Sequence, residues 1–157
     1  MVKKKAFTLI ELIVVIIVLS IVAMISANIM YQAFKGTFAQ YDLGTIDSQA
    51  RAILTKITSD IRTIRSNAAN DLSLGANTIK FADVFGNKIT YSLSGNTLMR
   101  NLQPLADSVT SLVFSYYDAN YNVTATSTEV RYITVTVGVT LGTQSVTLKT
   151  TISPRNF

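Results

Sequence analysis

The chain contains no cysteine, histidine or tryptophan, and only two prolines occur among its 157 residues. Without cysteine it cannot form disulfides, cysteine-ligated zinc sites, iron–sulfur clusters or thiol nucleophiles. Without histidine it lacks the commonest general base and the commonest transition-metal ligand. Acidic side chains are also scarce, with nine Asp and Glu residues in total. The composition therefore predicts that the protein is not an enzyme and that it binds no metal or cofactor.

Apolar residues are abundant by contrast, and they concentrate near the N-terminus. After Glu11 no charged residue occurs until Lys35, which leaves 23 uncharged residues at positions 12–34. A helix needs about 20 mostly apolar residues to cross a bilayer. Lysines precede this run at Lys3, Lys4 and Lys5. The positive-inside rule therefore predicts a cytoplasmic N-terminus, with the rest of the chain on the outer side of the membrane.

Residue chemistry alone leaves open whether this segment is a secretory signal, a plain anchor or a functional helix. A secretory signal has an apolar stretch of about 7–15 residues and a small-residue cleavage site. Here the stretch is longer, and residues 25–27 match such a site only weakly. The fourteen Leu, Ile, Val and Phe residues at positions 7–27 contribute about −4 to −8 kcal/mol to insertion, which exceeds the cost of one charged residue. Glu11 is therefore tolerated, but a carboxylate at this depth requires a partner.

The first residues resemble the prepilin-type signal of type IV pilins and type II secretion pseudopilins. The signal has four parts in a fixed order: a basic leader, a Phe, the sequence Thr-Leu-Ile-Glu-Leu and a long apolar run. All four occur in order in Lys3-Lys4-Lys5-Ala6-Phe7-Thr8-Leu9-Ile10-Glu11-Leu12 and the residues after it. The resemblance implies that a prepilin peptidase cuts between Ala6 and Phe7 and then N-methylates Phe7. It also implies that Glu11, the fifth mature residue, assists assembly by pairing with the N-terminal amine of an adjacent subunit.

Departures from the family pattern bear on the role of the subunit. Ala6 stands where the family usually has Gly, and Ala is small enough that we expect cleavage. Asn28 stands where many major pilins have a proline, and the chain cannot form the C-terminal disulfide common among them. The absence of this proline and of the disulfide favours a minor subunit over the principal filament subunit. The presence of Glu11 argues against the tip-type pseudopilin, which commonly lacks this glutamate.

Beyond the apolar run, the helical pattern continues as one amphipathic face. Its apolar residues recur at steps of three and four, which is the spacing of an α-helix: Ile46, Ala50, Ile53, Ile57, Ile61 and Ile64. Asp47, Arg51, Lys56 and Asp60 are predicted to lie on the solvated face as i,i+4 pairs. The polar sequence at residues 67–71 is predicted to end the helix.

The C-terminal half alternates between apolar and polar residues and predicts short strands joined by tight turns. The predicted strands are residues 78–81, 88–93, 97–100, 109–117, 130–141 and 145–152. Turns are expected at 94–96 and 142–144, and Pro104 is expected in a connector. The fold class is therefore α+β, a long helix packed on an antiparallel β-meander, which resembles the pilin fold. The expected regions are a leader (1–6), an assembly helix (7–34), an amphipathic helix (35–68) and a sheet domain (69–157).

A weaker resemblance extends into the predicted sheet. Residues 91–93, 96–100 and 109–118, together with Arg155-Asn156, resemble the J-type minor pseudopilin and the related W-type minor pilin. These segments are short and apolar, and an ordinary β-meander also matches them.

Three other residue sets have the composition of a possible site. Tyr116, Tyr117, Tyr121 and Tyr132 could form a platform for bases or another ligand, but packing within the sheet is favoured. Arg51, Lys56, Arg62 and Arg65 could form a DNA-binding stripe, but the interleaved Asp47 and Asp60 favour a solvated face. Asp71, Asp83, Asp107 and Asp118 could ligate calcium, but no dense ligand motif supports this, and surface loop carboxylates are expected.

The sequence therefore predicts a structural subunit of a bacterial type IV filament, such as a type II secretion pseudopilus or a type IV pilus. Expected partners are the prepilin peptidase, other pilins and the inner membrane, with no small-molecule substrate. Removing the three leader lysines leaves eleven basic against nine acidic residues, so the basic charge does not indicate a nucleic-acid partner. A pilus-associated adhesin or DNA-uptake subunit is the alternative, and a membrane-anchored sensor or enzyme is disfavoured.

Overall fold

The computed structural model describes residues 8–157, apart from the side chains of residues 39 and 42. The chain divides into two compact units, Met1–Tyr41 and Asp42–Phe157. A single helix, α1, runs from Leu9 to Arg62 and supplies residues to both. The strands that follow are β1 (Leu72–Ser73), β2 (Thr78–Ala82), β3 (Lys88–Ser94), β4 (Thr97–Arg100), β5 (Gln103–Ala106), β6 (Val109–Tyr117), β7 (Tyr132–Leu141) and β8 (Gln144–Ile152).

In the first unit, every described side chain of α1 is exposed. Mean hydropathy reaches 3.0 over an 18-residue window of the helix, which is long and apolar enough to cross a membrane. Because this stretch is apolar around its whole circumference, it has no polar face to present to water.

In the second unit, α1 packs through the face predicted from the sequence. Ile46, Ala50, Ile53, Ile57 and Ile61 are at most 3% exposed. They join one hydrophobic core with inward-facing residues of the strands, including Ile79, Phe81, Ile89, Tyr91, Leu98, Leu112, Phe114, Ile133, Val135 and Val137. The predicted packing of a long helix on antiparallel sheet is confirmed.

The helix ends at Arg62, a few residues before the predicted end. The amide of Thr63 donates to the Asp60 carbonyl (3.0 Å) and that of Ile64 to the Ile61 carbonyl (3.1 Å), which tightens the last turn. Ile64 then forms an isolated β-bridge with Asp83. It remains fully buried, so the helical spacing at this position predicted burial correctly but not the backbone conformation.

The strands form two antiparallel sheets, β1–β5 and β6–β8, in which each strand pairs with its neighbours in sequence. The sequence predicted a meander but not its division. The break follows β5, where Ser108 adopts a positive φ of 62° before β6 begins. The sheets remain linked because the Val109 amide donates to the Asn96 carbonyl (2.9 Å) and the Phe114 amide to the Ala76 carbonyl (2.7 Å).

Several strand boundaries differ from the predicted ones. β7 starts at Tyr132 because a 3-10 turn at Ser127–Glu129 precedes it. The short strands β1 and β5 were not predicted, and Pro104 lies in β5 opposite Met99 rather than in a connector. Proline is tolerated there because β5 is an edge strand, where the missing N–H leaves no ladder bond unmade. The predicted two hairpins are present, and Gly95 and Gly142 take the positive φ that their turns require (58° and 59°).

Asp60 lies at the margin of the core and not on a solvated helix face, so the sequence prediction for this residue was wrong. It is 7% exposed. Its Oδ2 accepts hydrogen bonds from the Tyr91 hydroxyl and from Arg100 Nε, both at 2.7 Å. Its Oδ1 accepts one from Lys56 Nζ at 3.0 Å. The carboxylate therefore ties α1 to β3 and β4.

Burial raises the pKa of Asp60, but the hydrogen bonds from Arg100, Tyr91 and Lys56 lower it by more, so that it lies below its usual value. The folded state then binds fewer protons than the unfolded state at mildly acidic pH. The stabilisation from Asp60 is therefore present above the unfolded pKa of about 3.9 and is lost as the pH falls through the folded pKa.

We predict that Asp60→Asn lowers the free energy of unfolding at pH 7 and makes it fall less steeply in acid. The difference from wild type should therefore shrink between pH 7 and pH 3.

Tyr91→Phe leaves the Asp60 carboxylate without one buried hydrogen-bond donor and should lower the free energy of unfolding by about 1.5–3 kcal/mol. Denaturant unfolding of the detergent-solubilised chain, followed by circular dichroism, measures both. Asp107→Asn, at an exposed carboxylate, is the control. If the free energy of unfolding of Asp60→Asn fell in acid as steeply as that of the wild type, the lowered pKa of Asp60 would not be the source of the acid dependence.

Candidate functional site

Glu11 is held in a reciprocal hydrogen-bonding arrangement at the start of α1. Its Oε2 accepts bonds from the backbone amide and from the hydroxyl of Thr8, both at 3.0 Å. The Glu11 amide donates in return to Thr8 Oγ1 at 3.4 Å. Two of the backbone amides that a helix start leaves without partners are thereby satisfied.

This arrangement is a capping box, in which a Ser or Thr and a Glu three residues later satisfy each other's amides. Its sequence signature, Thr-x-x-Glu directly before an apolar run, is present at residues 8–11 but did not enter the sequence prediction. The prediction treated Glu11 as a carboxylate that needs a partner from another chain. The structure shows that it also has a partner within its own chain.

The capping box leaves part of the carboxylate available. Both Thr8 donors bind Oε2, and Oε1 makes no hydrogen bond to any residue that the structure describes. A carboxylate offers about four acceptor positions. Glu11 can therefore keep its cap and accept a further donor or cation through Oε1.

The surroundings of Glu11 are apolar and exposed. The neighbouring side chains Leu9, Ile10 and Leu12 are 78%, 71% and 56% exposed. The same exposure continues along the helix through many large apolar side chains, among them Ile13, Val14, Ile16, Ile17, Leu19, Ile21, Met24 and Ile25. A contiguous apolar surface of this extent is typical of a membrane or protein interaction site.

Among the residues predicted to act with Glu11, Lys3, Lys4, Lys5, Ala6 and Phe7 lie outside the described residues. The cleavage point, the methylation site and the leader charges therefore remain predictions.

The four candidate calcium ligands, Asp71, Asp83, Asp107 and Asp118, each accept hydrogen bonds from different residues. Asp71 and Asp83 are buried, each 8% exposed, so the prediction of surface carboxylates was wrong for both. Arg65 and Ser66 donate to Asp71, and hydrogen bonds from Arg65 and Ser66 lower the pKa of Asp71. Asp83 accepts from the Asn87 amide, and Asp118 from the Asn122 amide. Within residues 8–157 no group of three or more potential metal ligands occurs.

The tyrosines follow the packing prediction only in part. Tyr116 is buried, and its hydroxyl donates to the Gly75 carbonyl at 2.8 Å. Burial raises the pKa of Tyr116 to about 12. Tyr121 lies outside the strands, is 62% exposed, and stacks on Tyr132 with ring centroids 4.2 Å apart. The prediction of packing within the sheet is therefore correct for Tyr116 and wrong for Tyr121.

Most of the basic side chains weighed as a DNA-binding stripe have acidic partners. Arg51 pairs with Asp47 at 2.8 Å, Lys56 pairs with Asp60 at 3.0 Å, and Arg65 pairs with Asp71. A row of paired cations does not provide the free positive surface that nucleic-acid binding requires.

Residues 1–27 match a family model described as the prokaryotic N-terminal methylation motif. A comparison of the whole chain with curated proteins finds no match. The match supports the type IV pilin-like family, whose members are structural and not catalytic. The motif implies processing by a prepilin peptidase and assembly with other pilins, and with the apolar helix it is consistent with inner-membrane anchoring.

The capping box predicts a measurable difference between two substitutions at Thr8. Thr8→Val removes the cap hydroxyl, which should cost the helix start about 0.5–2 kcal/mol. Hydrogen exchange at the Glu11 amide should then be roughly 2- to 30-fold faster. Thr8→Ser, which retains the hydroxyl, should exchange like the wild type. The measurement is made on the full chain in detergent micelles, and equal exchange in Thr8→Val and Thr8→Ser would contradict the capping role.

Proposed function

We propose that this chain is a minor pilin or pseudopilin, a subunit that initiates or joins a type IV filament after leader cleavage and N-methylation. In this proposal residues 1–6 are the leader and residues 7–34 form the membrane and assembly helix. Residues 35–68 contain its amphipathic continuation, which ends at Arg62, and residues 69–157 form a sheet domain outside the cytoplasm. The precursor spans the inner membrane once, and the mature chain moves into a periplasmic or surface filament.

The observation that supports this proposal most directly is the position of Glu11. A carboxylate with a spare oxygen lies among exposed apolar side chains at the start of α1, and an ionisable residue in a membrane-spanning helix indicates a functional site that needs a partner. A bundle of such helices would cover the apolar surface, and a cation from a neighbouring subunit would neutralise the carboxylate.

Leader cleavage supplies such a cation without disturbing the cap. Cutting between Ala6 and Phe7 creates an N-terminal amine on Phe7, while the amide and hydroxyl that bind Glu11 belong to Thr8. Glu11 Oε2 can then remain bound to Thr8 while Oε1 receives the Phe7 amine of an adjacent subunit. Because an unpaired charge in an apolar bundle is strongly unfavourable, the pairing also selects the axial register between subunits.

We assign the chain to the minor subunits because it lacks cysteine and has no proline in its apolar run. The resemblance of residues 91–93, 96–100 and 109–118 to the J-type pseudopilin and the W-type minor pilin supports placement in that group.

Processing is tested by the intact mass of the chain purified from membranes with and without a co-expressed prepilin peptidase. We expect the loss of residues 1–6 and the gain of one methyl group only when the peptidase is present. Ala6→Gly, which restores the usual family residue, should be processed at least as completely. An uncut wild-type chain beside a cut Ala6→Gly chain would show that Ala6 prevents processing. Cleavage near residue 27 would show an ordinary secretory signal instead.

Assembly is tested by separating the charge of Glu11 from its capping role. Glu11→Gln retains an oxygen for Thr8 but has no charge, and Glu11→Ala loses both. Both variants should insert and be processed normally, and both should be depleted at least about tenfold from sheared filaments, a difference that corresponds to one broken charge pairing. Glu129→Gln, at an exposed carboxylate in the sheet domain, is the matched control. Wild-type incorporation of Glu11→Gln would contradict the charge-pairing mechanism.

A further inference from the structure

A groove of about 930 Å³ lies between α1 and β8 in the second unit. On the helix side it is lined by the hydroxyl-bearing residues Thr55, Thr58 and Ser59, and on the strand side by Leu148 and Thr150. None of its lining residues is aromatic, and none is acidic. The proposed filament role, which depends on the other end of α1, makes no use of it.

The strand side of the groove is a free sheet edge. β8 is the outer strand of the β6–β8 sheet and pairs only with β7 among the described strands. The two-residue turn places Leu141 and Gln144 in a hydrogen-bonded pair. Because such pairs alternate along an antiparallel ladder, the backbone N–H and C=O groups of Thr147 and Lys149 point away from β7. These groups are available to a further strand.

The groove also carries positive charge that has no acidic partner within the described part of the chain. Arg62 from α1, Lys149 from β8 and Arg155 from the C-terminal segment line it, and none of the three forms an ion pair with a described residue. Arg51 also lines the groove but is paired with Asp47 at 2.8 Å. Three unpaired cations beside a free strand edge favour an extended ligand that bears carboxylates.

We propose that an extended acidic peptide of another protein binds here as a fourth strand on β8, with its carboxylates against Arg62, Lys149 and Arg155. The sheet edge offers alternating donors and acceptors, which match a peptide backbone, whereas a nucleic-acid backbone offers mainly acceptors. The groove also lacks the aromatic side chains on which bases stack. A second copy of this chain is a poorer ligand through the same edge, because β8 itself carries a lysine and no acidic residue.

The test uses the full chain in detergent micelles and a fluorescent, end-capped peptide of alternating threonine and glutamate, about eight residues long. Fluorescence anisotropy at about 0.15 M salt measures its binding. Three further probes separate the contributions. The first is the same peptide with alternate backbone nitrogens methylated. This removes the N–H groups along one edge of the extended peptide, so that this edge cannot donate hydrogen bonds to β8. The second has glutamine in place of glutamate, and the third is a single-stranded DNA oligomer of similar length.

We expect Lys149→Glu and Arg155→Glu each to weaken binding of the acidic peptide at least about tenfold. Lys88→Glu, at an exposed lysine of the other sheet, should bind like the wild type. Thr147→Pro removes an outward amide without removing a β7–β8 ladder bond and should also weaken binding, provided that its unfolding midpoint is unchanged.

Binding of the methylated peptide as tightly as the parent peptide would overturn strand addition, whether or not Thr147→Pro folds. Equal binding of the glutamine peptide would overturn the role of the cations. Absence of binding to the acidic peptide, or tighter binding of the DNA oligomer with the same loss in Arg155→Glu, would overturn the proposal as a whole.

Discussion

The folded domain depends on one face of α1, where isoleucines at helical spacing enter the core between the helix and the strands. Ile46, Ile53, Ile57 and Ile61 are nearly inaccessible to solvent, and burying each such side chain stabilises the fold by about 1.5–3 kcal/mol. The inward-facing residues of both sheets join these isoleucines in one hydrophobic core, so without the helix the inner faces of the strands would lose this cover. Asp60 then fixes the placement of the helix on the sheet, since its carboxylate can satisfy Tyr91 and Arg100 only in one register.

The same helix meets a different requirement nearer its N-terminus. There its apolar residues surround the whole circumference and are exposed, so the first unit must be covered by lipid or by other apolar helices. The only acidic group in that apolar stretch is Glu11, and the structure shows it capped by Thr8 with one oxygen in reserve. While the chain is a monomer, the bonds from Thr8 help the Glu11 carboxylate to remain in the apolar environment. Its second oxygen can still receive a cation from a neighbouring chain.

The parts of the structure that could be predicted are those governed by periodicity. The buried face of α1, strands β4 and β6 and the two hairpin turns all follow from repeating apolar positions and glycine placement. The parts that were missed depend on contacts between distant residues. Nothing near Asp60 in sequence indicates that Tyr91 and Arg100 will bury it, and the edge strand containing Pro104 exists because β4 offers it a partner. The capping box was different, since its local signature at Thr8 and Glu11 was visible in the sequence.

The strand topology has a consequence for how the domain acquires its structure. Every strand pairs with a neighbour in sequence, and contacts between close sequence neighbours form quickly because little chain entropy is lost in closing short loops. Hairpins can therefore form one after another, N-terminal segments first, as the chain is synthesised. The C-terminal segment also makes a long-range contact, in which Asn156 Nδ2 donates to the Ile64 carbonyl at 2.7 Å. Since no disulfide is needed, the domain can mature without an oxidising catalyst.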